Sequence, residues 1–147
     1  MKIVMMAAAA TLLAAPAMAR QVPAPLQVEI PELAAAASDP TCGGKPALAQ
    51  QAFCVSTTQA GIEALVDAYS AAFAQQGWLA AGGGENRVVY VKRRPAGGCD
   101  GFQMMAFADD TRPAAPAATA WLAFAAIPGD VCGAPTPAPA ATPAPAQ

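Results

Sequence analysis

The chain has 147 residues, with 8 basic and 10 acidic side chains and a formal net charge of −2, a balance too mild and too mixed for a nucleic-acid or anionic-membrane binder. It contains no histidine, which excludes Ser-His-Asp and Cys-His relays, histidine-ligated metals and imidazole general-base chemistry. Apolar residues make up 55% of the chain, but much of this is alanine, and no run after Arg20 approaches the roughly 20 apolar residues of a membrane-spanning helix.

In chain order, Met1 and Lys2 form a basic n-region, Ile3 to Ala15 an apolar stretch, and Ala17-Met18-Ala19 a small-residue cleavage site. Residues 1–19 therefore read as a signal peptide, and the expected destination is the periplasm or the exterior. The residue after the cleavage point is Arg20 and not a cysteine, so no lipid anchor is expected. Without Lys2 the mature chain has seven basic residues against ten acidic ones. Its foldable part, roughly 90 residues within 41–133, is enough for one small domain.

Residues 20–40 carry Pro23, Pro25, Pro31 and Pro40 and read as an extended arm. Pro31 suits the first position of a helical turn or two ending near Ala37. Ala52 to Ser56 is a short strand candidate. Ile62, Leu65, Val66, Tyr69, Ala72, Phe73 and Gln76 recur at spacings of three and four, which predicts one amphipathic helix from about Gln59 to Gln76. Ser56 with Gln59 fits a capping box, Thr57 and Thr58 are alternative N-caps, and Gly77 supplies a left-handed stop.

Gly82 to Gly84 lacks the Lys and Ser/Thr of a phosphate loop and reads as a flexible connector. Three β-rich segments follow: Arg87 to Arg94, Gly101 to Asp109 and Thr119 to Ile127. Turn formers at Pro95 to Gly98 and Asp110 to Pro113 join them as an antiparallel meander. Residues 134–147 are almost wholly Pro, Ala and Thr and read as a disordered polyproline-type tail. The expected fold class is α+β, with one helix packed on a three- to four-stranded antiparallel sheet and stapled by disulfides.

Cys42, Cys54, Cys99 and Cys132 are an even set in an exported domain. Cys99 precedes one strand of the last hairpin and Cys132 follows the other, so these two are expected to pair, leaving Cys42 with Cys54. No two cysteines have zinc-knuckle or C-x-x-C spacing. No metal or other cofactor is expected. Asp100, Asp109, Asp110 and Asp130 fall where turns are expected and read as turn formers.

Centring each strand pair on its loop puts Val89, Val91, Phe102, Met104, Ala106, Trp121, Ala123 and Ala125 on one face. Val88, Tyr90, Met105, Phe107, Leu122 and Phe124 share the other. Both faces are apolar, whereas one helix covers only one. The second needs the arm, through Leu26, Val28 and Ile30, a second copy of the chain, or a ligand.

The expected function is a non-catalytic exported binding or interaction module, whose partner is a protein or small apolar ligand of the cell envelope. Its candidate surface is Tyr90, Lys92, Arg93, Arg94, Met105, Phe107, Leu122 and Phe124. The basic run Lys92 to Arg94, with Arg87, could seat an anion but reads rather as solvated protection of a sheet edge. The alternatives are a histidine-independent enzyme using aspartates, or Lys92 with Tyr90, and an inhibitor presenting the loop Pro95 to Cys99.

Overall fold

The computed structural model describes residues 25–133. The expected signal peptide, the first residues of the arm and the tail of residues 134–147 lie outside that range. The elements are β1 (Ala37–Ser38), α1 (Pro46–Ala49), β2 (Phe53–Thr58), α2 (Ile62–Gln75), β3 (Leu79–Gly84), β4 (Arg87–Arg93), β5 (Cys99–Ala108) and β6 (Thr119–Ile127). They build one antiparallel sheet of six strands in the order β1-β2-β6-β5-β4-β3, with α2 on one face.

The α+β class holds, but the sheet is wider than the three or four strands expected. Strands β3 to β6 form a meander whose last member pairs back onto β2, and β2 carries β1 on its outer side. Strand β3 includes the glycine run read as a connector. A glycine-rich edge strand needs no side chains of its own, because Val88, Val89 and Val91 across the ladder hold it. The two-residue turn Glu85-Asn86 closes the hairpin, and Asn86 is fastened to β5 through Ala106 in both directions, at 2.8 and 3.3 Å.

Helix α2 begins three residues later than the periodicity suggests. Gln59–Gly61 form a 3₁₀ turn in which the Thr58 hydroxyl accepts from the Gly61 N–H at 3.2 Å. Ser56 lies inside β2 and takes no part in the cap. Gly77, at φ 84°, ends the helix and turns the chain toward β3. In the arm, the expected helix near Pro31 is only a turn, closed by Ala36 N–H to Leu33 C=O, before β1.

The stripe Leu65, Tyr69 and Phe73 is at most 2% exposed and lies on Val55, Tyr90, Phe102, Met104, Leu122 and Phe124. Phe73 is the hub. Its ring meets Phe102, Tyr90 and Phe124 edge-on at 5.0, 5.3 and 5.8 Å, and Trp78 closes the end of the cluster 4.8 Å from Phe102. Such pairs contribute about 0.5–1.5 kcal/mol each beyond the burial of their area. The Tyr90 hydroxyl, drawn inside with its ring, shares a 2.7 Å hydrogen bond with Ser70. Burial pushes its pKa up, and the Ser70 contact opposes this in part.

Two sequence-based expectations are corrected here. The loop between β4 and β5 runs Arg94–Gly98 and closes on Arg93 opposite Cys99, with left-handed Gly97 and Gly98. It is one residue longer than a loop beginning at Pro95, which shifts β5 by one against β4. The β5–β6 connection, residues 109–118, is centred beyond the expected Asp110–Pro113 turn, which changes the side-chain parity of β5 against β6 as well; either change turns every side chain over. Phe102, Met104 and Ala106 therefore join Val88, Tyr90, Leu122 and Phe124 under the helix, while Met105 and Phe107 join Val89, Val91, Trp121, Ala123 and Ala125 on the second face.

The arm also packs on the helix side. Val28 is buried there beside Leu26, Ile30 and Leu33. The Gln76 side chain clamps the Glu29 backbone by accepting its N–H at 3.0 Å and donating to its carbonyl at 2.8 Å. Val28→Asp, which buries an unpaired carboxylate, is expected to lower the unfolding free energy in urea by about 3 kcal/mol. Glu29→Lys leaves the backbone clamp intact and is expected to stay within about 0.5 kcal/mol of the parent.

Candidate interaction surface

With the helix and arm on one side, the second face is covered, among the described residues, only at its two ends, each time by a segment that a disulfide ties down. Cys42 is bonded to Cys54 and Cys99 to Cys132, the pairing expected from the strand order. By loop-closure entropy the two crosslinks stabilise by about 3 and about 4 kcal/mol.

At the first end, the stretch from Asp39 through α1 folds back over Phe107, Trp121 and Ala123. Asp39 anchors it. Its carboxylate accepts from the Thr41 hydroxyl and N–H at 2.6 and 2.9 Å, from the Gly43 N–H at 3.0 Å and from the Trp121 indole at 2.7 Å. Gly43, at φ 64°, lies so close to the Trp121 ring that a Cβ would be 2.9 Å from it, so only glycine fits. Phe107 stacks on Trp121 with centroids 5.6 Å apart, and Lys45 Nζ sits 5.7 Å over the Phe107 ring.

At the other end, the turn after β6 lays Val131 against Gly101, where a Cβ would meet the valine at 2.6 Å. Asp130 organises this turn by accepting from the Cys99 and Cys132 N–H groups at 2.8 and 3.0 Å. Arg94 bridges Asp100 at 3.4 Å and Asp130 at 3.8 Å.

Between these covers lies a strip of half-buried side chains: Val89, Val91, Gln103, Met105, Ala125 and Ile127. It continues onto the edge strand through Leu79, which is 68% exposed. Arg87 and Arg93, both exposed, stand at the two ends of β4 on this face.

The structure scatters the eight residues expected to form one surface. Tyr90, Leu122 and Phe124 are at most 2% exposed in the helix-side core and cannot contact a partner, which corrects their assignment. Lys92 is exposed but belongs to the helix side, with its ammonium 5.8 Å from the Trp78 ring centroid. Arg94 is committed to its two aspartates and Phe107 lies under Lys45. Met105 and Arg93 stay on the open strip. Val89, Val91 and Ile127 belong there too, and the paired glycines of the Arg94–Gly98 loop were the signal for the β4–β5 register that sets Met105 beside the valines.

Asp109 and Asp130 are held ionised in turns, whereas Asp100, expected in a turn, lies within β5. Asp109 takes the Thr111 hydroxyl and N–H and pairs with Arg112 at 3.2 Å. Its pKa is lowered chiefly by the Thr111 hydroxyl, and that of Asp130 by the Cys99 and Cys132 N–H groups. A general acid needs the opposite shift. A shallow opening of about 320 Å³ is lined by Gln59, Ala60, Ala114, Ala115 and Pro116, with one side-chain amide and no ionisable group. Among the described residues no helix is long and apolar enough to cross a membrane, and no cluster of three or more metal-ligating residues occurs. In comparison with known proteins, no family model, curated protein or solved structure matches the chain.

The Asp39 anchor sets a pH dependence. Its hydrogen bonds, that of the Thr41 hydroxyl foremost and the Gly43 N–H next, hold its pKa at about 2 against an ordinary 3.8. The folded-state value lies below the unfolded one, so the stabilisation is complete above 3.8 and is lost as the pH falls through about 2. Urea midpoints measured over that range are expected to fall more steeply for the parent than for Asp39→Asn.

The disulfides differ in exposure. Cys42, Cys54 and Cys99 are buried, whereas Cys132 is exposed. Under mild reduction with differential alkylation, Cys99–Cys132 is expected to open first, because an attacking thiolate reaches the Cys132 sulfur.

Proposed function

We propose that the chain is an exported, non-catalytic interaction module of the cell envelope that binds a protein through the open strip of its second sheet face. The observation that carries this reading is the strip itself. Among the described residues, valine, methionine and isoleucine side chains stand half-buried, with no segment packed over them, between two ends of the same face that disulfide-tied segments cover. Monomeric proteins rarely leave a contiguous apolar area of several hundred Å² without use.

The shape favours a protein over a small molecule. A small-ligand site is concave and buries most of its ligand, whereas this surface is one face of a sheet. Its chemistry favours a partner with an apolar centre flanked by carboxylates, which would meet Arg87 and Arg93 at the two ends of β4. The histidine-independent enzyme is the weaker reading, because the aspartates it would use are engaged in turns and ion pairs. Export is supported by the leader-like first 19 residues and by two disulfides, which persist in oxidising compartments.

Photo-crosslinking in the producing cell tests the assignment. A photoreactive residue at Val89 or Met105 is expected to give discrete adducts that Val91→Glu abolishes, while the same probe at Ala64, on the exposed side of α2, gives none. Equal adducts from both sides, or adducts indifferent to Val91→Glu, would remove the strip as the contact surface.

A further inference from the structure

We propose that β3 is a self-association edge, at which the β3 strand of a second copy of this chain adds antiparallel and continues the sheet. The two edges of the sheet are unlike. Strand β1 has two residues and runs directly into Asp39 and Pro40, so that edge is short and ends in a charge and a proline. Strand β3 has six residues, all exposed, with no charge and no proline. Among the described residues its backbone pairs only with β4, which leaves its outward N–H and C=O groups open to another strand.

The occupant follows from self-complementarity. Leu79 stands opposite Val91, and Gly82 and Gly84 stand opposite Val89 and Arg87, so all three lie toward the second face. The register shift at Ala81 brings both ends of the strand to that side. Leu79 projects with 68% of its surface exposed, whereas a Cβ at Gly82 or Gly84 would meet nothing. Neither glycine has a positive φ, so both are ordinary extended positions without a side chain. One end of the strand is a knob and the other a bare shelf.

In an antiparallel pair with Leu79 opposite Gly84 of the second copy, the two-fold axis passes between Ala81 and Gly82. Each leucine then lies on the other copy's shelf, and the interface is isologous. The same register sets Glu85 of one copy beside Trp78 of the other. Lys92 waits there, its Nζ 5.8 Å from the Trp78 ring centroid and its Cε 3.6 Å from where a Gly77 Cβ would be. Two symmetry-related Glu85–Lys92 pairs result. Asp100 stands opposite Lys92 across the β4–β5 ladder but is bridged by Arg94, Arg87 lies at the other end of β4, and Glu29 is near through its backbone on the Gln76 side chain.

Sedimentation equilibrium on the oxidised full chain tests this, and its outcome is independent of the partner proposed above. A reversible monomer–dimer equilibrium is expected. Leu79→Lys, Glu85→Lys and Lys92→Glu should each weaken it roughly tenfold, and the double reversal Glu85→Lys with Lys92→Glu should return it to within about threefold of the parent. Near-UV circular dichroism checks that each variant keeps its packed core. A parent that stays monomeric up to about 1 mM overturns the proposal, whether the edge is then covered by an upstream segment of the same chain or by a foreign peptide. So does a dimer indifferent to Leu79→Lys, or a double reversal that compounds the two single losses.

Discussion

The position of β5 relative to its neighbours is the constraint on which the rest of the molecule depends. It is the longest strand and shares the centre of the sheet with β6, bonded to β4 on one side and β6 on the other, and its alternate side chains supply both the floor of the helix-side core and the middle of the open strip. Phe102 and Met104 must face α2 for Phe73 to find its aromatic partners. Once they do, Gln103 and Met105 are obliged to face the other way. The Arg94–Gly98 loop imposes this register locally, through two left-handed glycines and the hydrogen bond from Arg94 N–H to Gly98 C=O. The aromatic cluster enforces it globally, since a slip of one residue would exchange Phe102 for Gln103 beneath the helix.

Each disulfide is accompanied by a carboxylate that performs the fine positioning. Asp39 gathers the backbone around Cys42 and reaches across to Trp121, while Asp130 accepts the N–H groups of both Cys99 and Cys132. A crosslink restricts the unfolded chain, whereas a carboxylate accepting several N–H groups selects one folded geometry for the loop. Together they hold short, irregular segments against a sheet face where neither segment has enough apolar area to stay by itself. Only three residues of the Asp39–Ala52 cover, Leu48, Ala49 and Ala52, add partly buried apolar contacts around the Cys42–Cys54 pair.

How much of this was legible in the sequence differs by element, for physical reasons. Helix α2 could be read because Leu65, Tyr69 and Phe73 repeat at the helical period, and the disulfide pairing because a hairpin brings Cys99 and Cys132 to one end. Strand β3 could not, since Ala80 to Gly84 has almost no strand propensity and its pairing is imposed by the valines of β4. The composition of the candidate surface failed at the two loops that flank β5 and set its register, and at the side of the sheet that α2 covers, which puts Tyr90, Leu122 and Phe124 inside. The arm was recognised as apolar and in need of a surface, but its side depended on Gln76, which reads as the last residue of a helix stripe and acts as a clamp on Glu29.

That clamp decides which face of the sheet the arm covers. The arm carries the apolar residues Leu26, Val28 and Ile30, and the sequence alone allowed them to lie on the open strip. Its docking beside α2 adds to the core that holds Trp78 and Phe73 instead, and among the described residues leaves Val89, Val91, Met105 and Ile127 half-buried with no segment packed over them. A sheet whose own arm lies against the already covered face, while disulfides fasten small segments over only the ends of the other, keeps a defined apolar window. The charged residues follow the same division. Arg94 is neutralised within the fold by Asp100 and Asp130, whereas Arg87 and Arg93, on the strand that crosses the window, stand exposed at its ends.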